Sequence, residues 1–438
     1  MKKYLALALA ALMSISMLAG CGGGSTSAPA TSTPAASTPG TSTPAEPENV
    51  TIRVWSWDGA IQQLEYTAEA YKANHPEVEF VFETISSSTI YDKLTTMLVS
   101  GEGLPDVVCL EGEMFATYAA KFPNRFADFT GMVNEADFLA SKVTECTIDG
   151  KLLGLPWDAA PVMMFYRADI FEEAGVNPDS IVTWEDYIEA GKIIKEKTGK
   201  SMSASRFSSD NTMLRAILYS QNATFFDADG NLTVDTPEME KALQLCQDMY
   251  DAGIIDVGVD WSDYIAKLGS GNIATDVQAA WIMGTMMSDC PEGDGKWRAA
   301  PAPRFDENSD YVGTNGGSMY AVTSTDAAVK AAAMDYLVFT ATDVEMNVHG
   351  MTDWGLYPSH IPTYSNDVFK ETYSYFGDTA PYILVNEEAQ KMIPINYTQN
   401  YSIANDATKA AVADVTINGA DPAAVTKSLQ ESIEPMMS

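Results

Sequence analysis

The stretch "GLPWDAAPVMMFYRADIFEEAG", residues 154–175, contains an unexpected pair. Trp157 and Asp158 interrupt a run otherwise patterned as a buried strand, with Pro156 and Pro161 on either side. A strand that only fills a core has no use for a carboxylate. An indole offers an apolar plane and a carboxylate accepts charge-assisted hydrogen bonds, so the pair has the makings of a binding surface. Other chemistries find no support. No G-x-x-x-x-G-K-[ST] occurs, which argues against ATP hydrolysis by this chain. His75, His349 and His360 match no zinc spacing, and no metal or cofactor is expected. In "DADGN", Asp227 to Asn231, Gly230 comes at the fourth position where a calcium loop needs it at the sixth, so the segment reads as a hairpin turn. Glu111 and Glu113 are two apart at one strand end, on the same side of any ligand, whereas a glycosidase sets its two acids on opposite sides of the scissile bond.

The elements that must position such residues alternate between strand and helix. "VTIRVWSW" reads as a strand, after which Ile61, Leu64, Ala68 and Tyr71 recur at helical spacing up to "NHP". "VEFVFETI" follows as a strand, then a stripe of Ile90, Leu94, Met97 and Leu98 stopped by Gly101, then "PDVVCL" as a third strand. That order implies a parallel sheet with right-handed crossovers. Thr183 with Asp186 imitates a capping box, and Thr236-Pro237 opens a helix whose stripe is Met239, Leu243, Cys246 and Tyr250. Late helices follow "STDAAVKAAAMDYLVF" and "DPAAVTKSLQESI".

The N-terminal segment sets the compartment. Residues 1–20 carry Lys2, Lys3 and an apolar run too short to span a bilayer, the pattern of a secretory signal. Leu18, Ala19 and Gly20 before Cys21 match a lipobox, which makes Cys21 the expected lipidation site. Residues 21–49 are rich in Gly, Ser, Thr and Pro, the composition of a solvated tether. The expected location is the outer face of the cell membrane, held by lipid. The rest is too long for one core, so two lobes are expected. A net charge of −34 with no basic block argues against nucleic-acid binding. Cys109, Cys146, Cys246 and Cys290 show no CxxC pair and leave room for one disulfide.

In this order the motifs resemble an extracellular solute-binding protein of the maltose-binding-like family that serves carbohydrate ABC importers. The resemblance is carried by "YDKLTTMLVSGEGLPDVVCLEG", by "IDGKLLGLPWDAAPVMMFYRADIFEEAGV" with "TWEDYIEAGKII", by "GNIATDVQAAWIMG" and by "VGTNGGSMYAV", over residues 50 to about 365. It implies an α/β fold of two lobes, each a central mostly parallel sheet flanked by helices, with a ligand cleft between them. The first lobe would comprise residues 50–157 with about 310–362, and the second about 158–309 with 363–438. The implied activity is non-enzymatic: capture of a sugar or oligosaccharide by hinge closure and delivery to ABC permease subunits in the membrane, by a monomer. A polyamine or other cationic solute is the alternative ligand, and a surface glycoside hydrolase the alternative activity.

The same resemblance puts "LPWDAAPV" where the chain passes between lobes, so Trp157 and Asp158 would face the cleft. A sugar presents an apolar face and a belt of hydroxyls, matched by aromatic planes and planar acceptors. Trp281 is the first stacking candidate, against a packing role in the core. Trp57 and Asp58 close the first strand at the usual ligand edge of an open sheet, although Trp55 and Trp57 share a face and either one suits a core. Glu111 ends the third strand at that edge, while Glu113 also reads as a helix-start charge. Asn315, Gly316 and Gly317 let backbone approach a ligand, or make a hinge turn. Asp353, Trp354 and Tyr357 stand in a Pro- and Gly-punctuated loop suited to a third aromatic platform. Arg206, in a polar loop, is left out of the site.

Overall fold

The computed structural model describes residues 49–437; the leader, Cys21 and most of the tether lie outside the described residues. In the first sheet the strands run in the order Val78–Thr84, Val50–Ser56, Val107–Glu111, Ser318–Val322, Leu155–Pro156. The strands up to Glu111 pair in parallel, and the helices Asp58–Lys72 and Ser87–Ser100 make the crossovers. Their stripes do what the spacing predicts: Ile61, Leu64, Ala68 and Tyr71 are buried on the first helix and Ile90, Leu94 and Leu98 on the second. The second helix stops at Gly101, whose φ of +77° is the left-handed cap that glycine adopts without strain.

The second sheet has the order Trp297–Pro301, Val162–Arg167, Ile273–Ala279, Ser201–Ser205, Ile255–Val257. Alternation along Val162–Arg167 sends Val162 and Met164 into one apolar cluster and Met163 and Phe165 into another, so this sheet is buried on both faces. Both sheets are mixed rather than uniformly parallel. The antiparallel strands are those where the chain arrives from the other lobe, Val162–Arg167 and Ser318–Val322. The capping box at Thr183 forms, with Thr183 and Asp186 each accepting from the other's backbone N–H. Thr236 caps Pro237–Asp251 as expected.

The chain passes between the sheets at residues 157–161, again on the approach to Ser318, and a third time near residue 358. These segments are tied to one another by the bridges Pro161 to Thr314 and Asp158 to Pro358. Cys109, Cys146, Cys246 and Cys290 are all buried free thiols, so no disulfide joins them. Asp227 caps its own turn by accepting from the N–H groups of Asp229 and Asn231, flanked by the bridge of Phe226 to Leu232.

Candidate ligand cleft

A cavity of about 490 Å³ opens between the two sheets, within the usual range for small-molecule sites. From the first sheet it receives Trp57, Glu111, Glu113 and Asp158. Trp57 is the N-cap residue of Asp58–Lys72, and its ring meets Tyr91 edge-on at 6.5 Å. Tyr91 donates a 2.7 Å hydrogen bond to Glu111, the last residue of its strand, and so fixes that carboxylate at the sheet edge. Glu113 follows in the first turn of Gly112–Lys121, where Asn405 donates to it from across the cleft at 3.2 Å. Burial pushes the Glu113 carboxyl up, against the opposing pull of Arg215.

Asp158 sits on the first crossing segment and accepts from the backbone N–H of Ser318 at 2.6 Å. Burial raises its pKa, countered first by the Lys142 ammonium. Lys142 is itself fully enclosed and paired with the equally enclosed Glu145 at 2.6 Å. Burial works against that ammonium, but the Glu145 and Asp158 carboxylates outweigh it and hold Lys142 charged. Gly317, at φ +89°, lies over this cluster; a Cβ there would come within 3.1 Å of Lys142 Nζ and 3.2 Å of the Asp158 carbonyl oxygen.

The opposite wall belongs to the second sheet and the helix Tyr401–Thr416. Trp281 is half-buried, donates from Nε1 to the Asn315 carbonyl at 2.9 Å, and lies 6.0 Å from Trp261 with the rings tilted at 41°. The Arg206 guanidinium lies over the Trp261 ring at 5.7 Å and is paired with Asp210. Arg215 donates to the Asn315 side chain, and Asn315 in turn donates to Gln278 at 2.5 Å. Burial opposes the Arg215 charge, and the nearby Asp210 carboxylate favours it. Lys409 completes this wall. The walls touch where Tyr397 packs against Gly112, at which a Cβ would fall 2.6 Å from the Tyr397 ring.

Trp57, Glu111, Asp158, Trp281, Asn315 and Gly316 therefore line one cavity, together with Glu113 and Gly317. Asp58 opens its helix, and its side chain lies outside the described residues. Two expectations are corrected. Trp157 is only 2% exposed, stacks on Tyr320 at 4.5 Å and donates to Gln63 at 2.8 Å, so it packs the first lobe's core instead of facing the cleft. Tyr357 is 1% exposed, donates to Asn386 and stacks on Tyr364; its neighbour Leu356 reaches the cleft instead. Asp353 and Trp354 line a different cavity. Arg206, left out on sequence grounds, belongs to the cleft wall. Trp261, Arg215, Gln278, Tyr397 and Lys409 also line it, outside the residues expected from sequence. A signal existed for two of them: Trp261 follows the N-cap Asp260 on a largely polar helix start, and Arg215 interrupts the apolar run "MLRAILY". Among the described residues no cluster of His, Cys, Asp and Glu could hold a metal ion.

A family model described as bacterial extracellular solute-binding protein matches residues 57–347. The chain is 29% identical over 335 residues to a lactose-binding protein of Rhizobium radiobacter, covering 74% of this chain and 79% of that one. It is 28% identical over 399 residues to an arabinooligosaccharide-binding protein of Halalkalibacterium halodurans, covering 87% and 88%. In fold it is similar to the ABC transporter associated binding protein from B. animalis subsp. lactis Bl-04, solved in complex with beta-1,6-galactobiose. The TM-score is 0.72 at 22% identity, over 88% of this chain and 97% of that one.

Proposed function

Because the chain belongs to the bacterial extracellular solute-binding protein family, we propose that it captures a neutral sugar or oligosaccharide between its lobes and hands it to an ABC permease in the membrane. One observation carries the choice of ligand: the cleft is polarised around its indoles. Acceptors Glu111, Glu113 and Asp158 stand with Trp57 on one wall, and donors Arg206, Arg215 and Lys409 stand with Trp261 and Trp281 on the other, where Asp210 pairs with Arg206. A sugar hydroxyl both donates and accepts, and the ring face stacks on indole, so a neutral polyol satisfies both walls at once. A polyamine would satisfy the carboxylates but meet the guanidinium wall with like charge, which disfavours the cationic alternative. The named sugars of the relatives, lactose and arabinooligosaccharides, agree with a neutral ligand.

Ligand contacts from both walls stabilise the closed form, in which the hinge is the set of bridged crossing segments. The proposed first lobe is residues 50–157 with about 310–362 and the second about 158–309 with 363–438; the pairing of Ser318–Val322 with the first sheet and the packing of residues 369–433 on the second support that division. The protein acts as a monomer without catalysis, extracytoplasmically, anchored through lipid on Cys21. Membrane fractionation checks the anchor: Cys21→Ser is expected in the soluble fraction, and equal retention with wild type would remove it.

A thermal-shift screen of mono- and oligosaccharides beside polyamines tests the ligand class. A bound ligand at a hundredfold excess over Kd contributes about 2.7 kcal/mol, enough to raise Tm by a few degrees. The expected result is a shift with a saccharide and none with spermidine or putrescine. The reverse pattern would overturn the reading.

A further inference from the structure

Next to the cleft lies a second cavity of about 550 Å³. It is bordered by Gly59 and Gln62 at the start of Asp58–Lys72, by Thr352, Asp353 and Trp354 at the end of Val344–Trp354, and by Thr285 and Ser288 of Ile282–Asp289 opposite them. Tyr373 and Tyr382 close one end. Trp281 borders both this notch and the cleft, so the two spaces meet at that residue. Three glycines, Gly59, Gly284 and Gly355, line the notch beside that residue. Gly284 and Gly355 face each other, a Cβ on either lying 3.8 Å from the other's Cα, and the backbone at Gly59 approaches Trp354 so closely that a Cβ there would come within 2.9 Å of Trp354 Cβ.

The notch repeats the chemistry of the cleft. It has aromatic side chains in Trp354 and Tyr373, backed by the buried Tyr382, and acceptors and donors in Asp353, Gln62, Thr285 and Ser288. Among the described residues that line it there is no lysine or arginine, which argues against an anionic occupant. Asp353 is already oriented, held by His349 at 3.0 Å and by the Thr352 hydroxyl at 3.1 Å. Its walls come from both lobes, so an occupant would be gripped by the same closure that grips the cleft ligand.

We propose that this notch is an outer glycosyl subsite, receiving the units of an oligosaccharide that extend past Trp281 from the cleft. The proposal rests on the saccharide reading of the cleft. It accounts for Asp353 and Trp354 standing apart from the cleft while sharing its chemistry, and it makes the protein a reader of chain length.

The test is calorimetric titration of the full-length protein with arabinobiose and arabinopentaose, and with galactobiose and galactotetraose. Two plugging variants are compared with wild type: Gln62→Trp from the first lobe, at an exposed position, and Thr285→Trp from the second. Wild type is expected to bind the longer member of one series more tightly than the disaccharide. Each plug is expected to weaken the longer member about tenfold or more, as loss of a subsite's hydrogen bonds and stacking implies, while leaving the disaccharide within about twofold. Unchanged affinity for the longer member in both plugs overturns the subsite. So does equal weakening of short and long members, which would make the notch a closure surface and nothing more. If wild type binds disaccharides with no gain from length, the subsite fails and the cleft reading stands; if no member of either series binds, the subsite fails and the thermal-shift screen alone decides the cleft reading.

Discussion

Trp281→Ala is expected to weaken saccharide binding by about thirty-fold to nearly a thousand-fold, the equivalent of roughly 2 to 4 kcal/mol for a central aromatic anchor. The indole is half-buried, faces Trp261 at 6.0 Å and is held in plane by its 2.9 Å bond to the Asn315 carbonyl. Because Asn315 lies on a crossing segment, that bond ties the stacking surface to the hinge. Removing the indole takes away the plane and part of the apolar lining, with little loss from either lobe's core. The ligand-free Tm should therefore stay close to wild type. Trp281→Phe, which keeps a plane but loses the bond to Asn315, should fall between. Near-normal binding with a clear drop in ligand-free Tm would assign Trp281 to packing instead, since a core tryptophan cut to alanine costs about 3 to 5 kcal/mol of stability.

The second large effect is on stability. Lys142→Met is expected to destabilise the protein by about 3 to 5 kcal/mol, because it leaves an enclosed carboxylate without its counter-charge. Lys142 and Glu145 are both wholly inaccessible and 2.6 Å apart, and the second oxygen of Glu145 has no partner of its own. The double variant Lys142→Met with Glu145→Leu removes both charges together and should recover most of the loss. Binding should still suffer in the double variant, since Asp158 at the cleft floor has lost the nearby ammonium that opposes its raised pKa. Unfolding by denaturant, without ligand, measures the first effect. A loss below about 1 kcal/mol, or a double variant no more stable than the single one, would contradict it.

Much of this architecture was legible because it is local. Stripes such as Ile90, Leu94 and Leu98 and caps such as Thr183 with Asp186 depend on residues a few positions apart. Trp57 and Glu111 follow a general rule, that ligands meet the carboxyl ends of strands in open sheets. Trp157 departs from its expected place for a physical reason. In an extended segment, successive side chains point to opposite sides, so Trp157 and Asp158 cannot both face one cleft. The carboxylate took the cleft and the indole took the core. The same alternation separates Leu356 from Tyr357. Local pattern marks Trp261 and Arg215 as out of place in their helices, but not that they join Arg206 in one wall. What makes them a wall is contact across long separations, such as Arg215 with Asn315 a hundred residues on, and no local pattern records it.

Small-angle scattering on the purified protein, with and without the saccharide that gives the largest thermal shift, decides whether capture works by closure. Polarised walls that must both touch the ligand, bridged crossing segments and the contact of Tyr397 with Gly112 predict a smaller radius of gyration at saturation than in the free protein. An unchanged radius at saturating ligand would contradict capture by closing lobes.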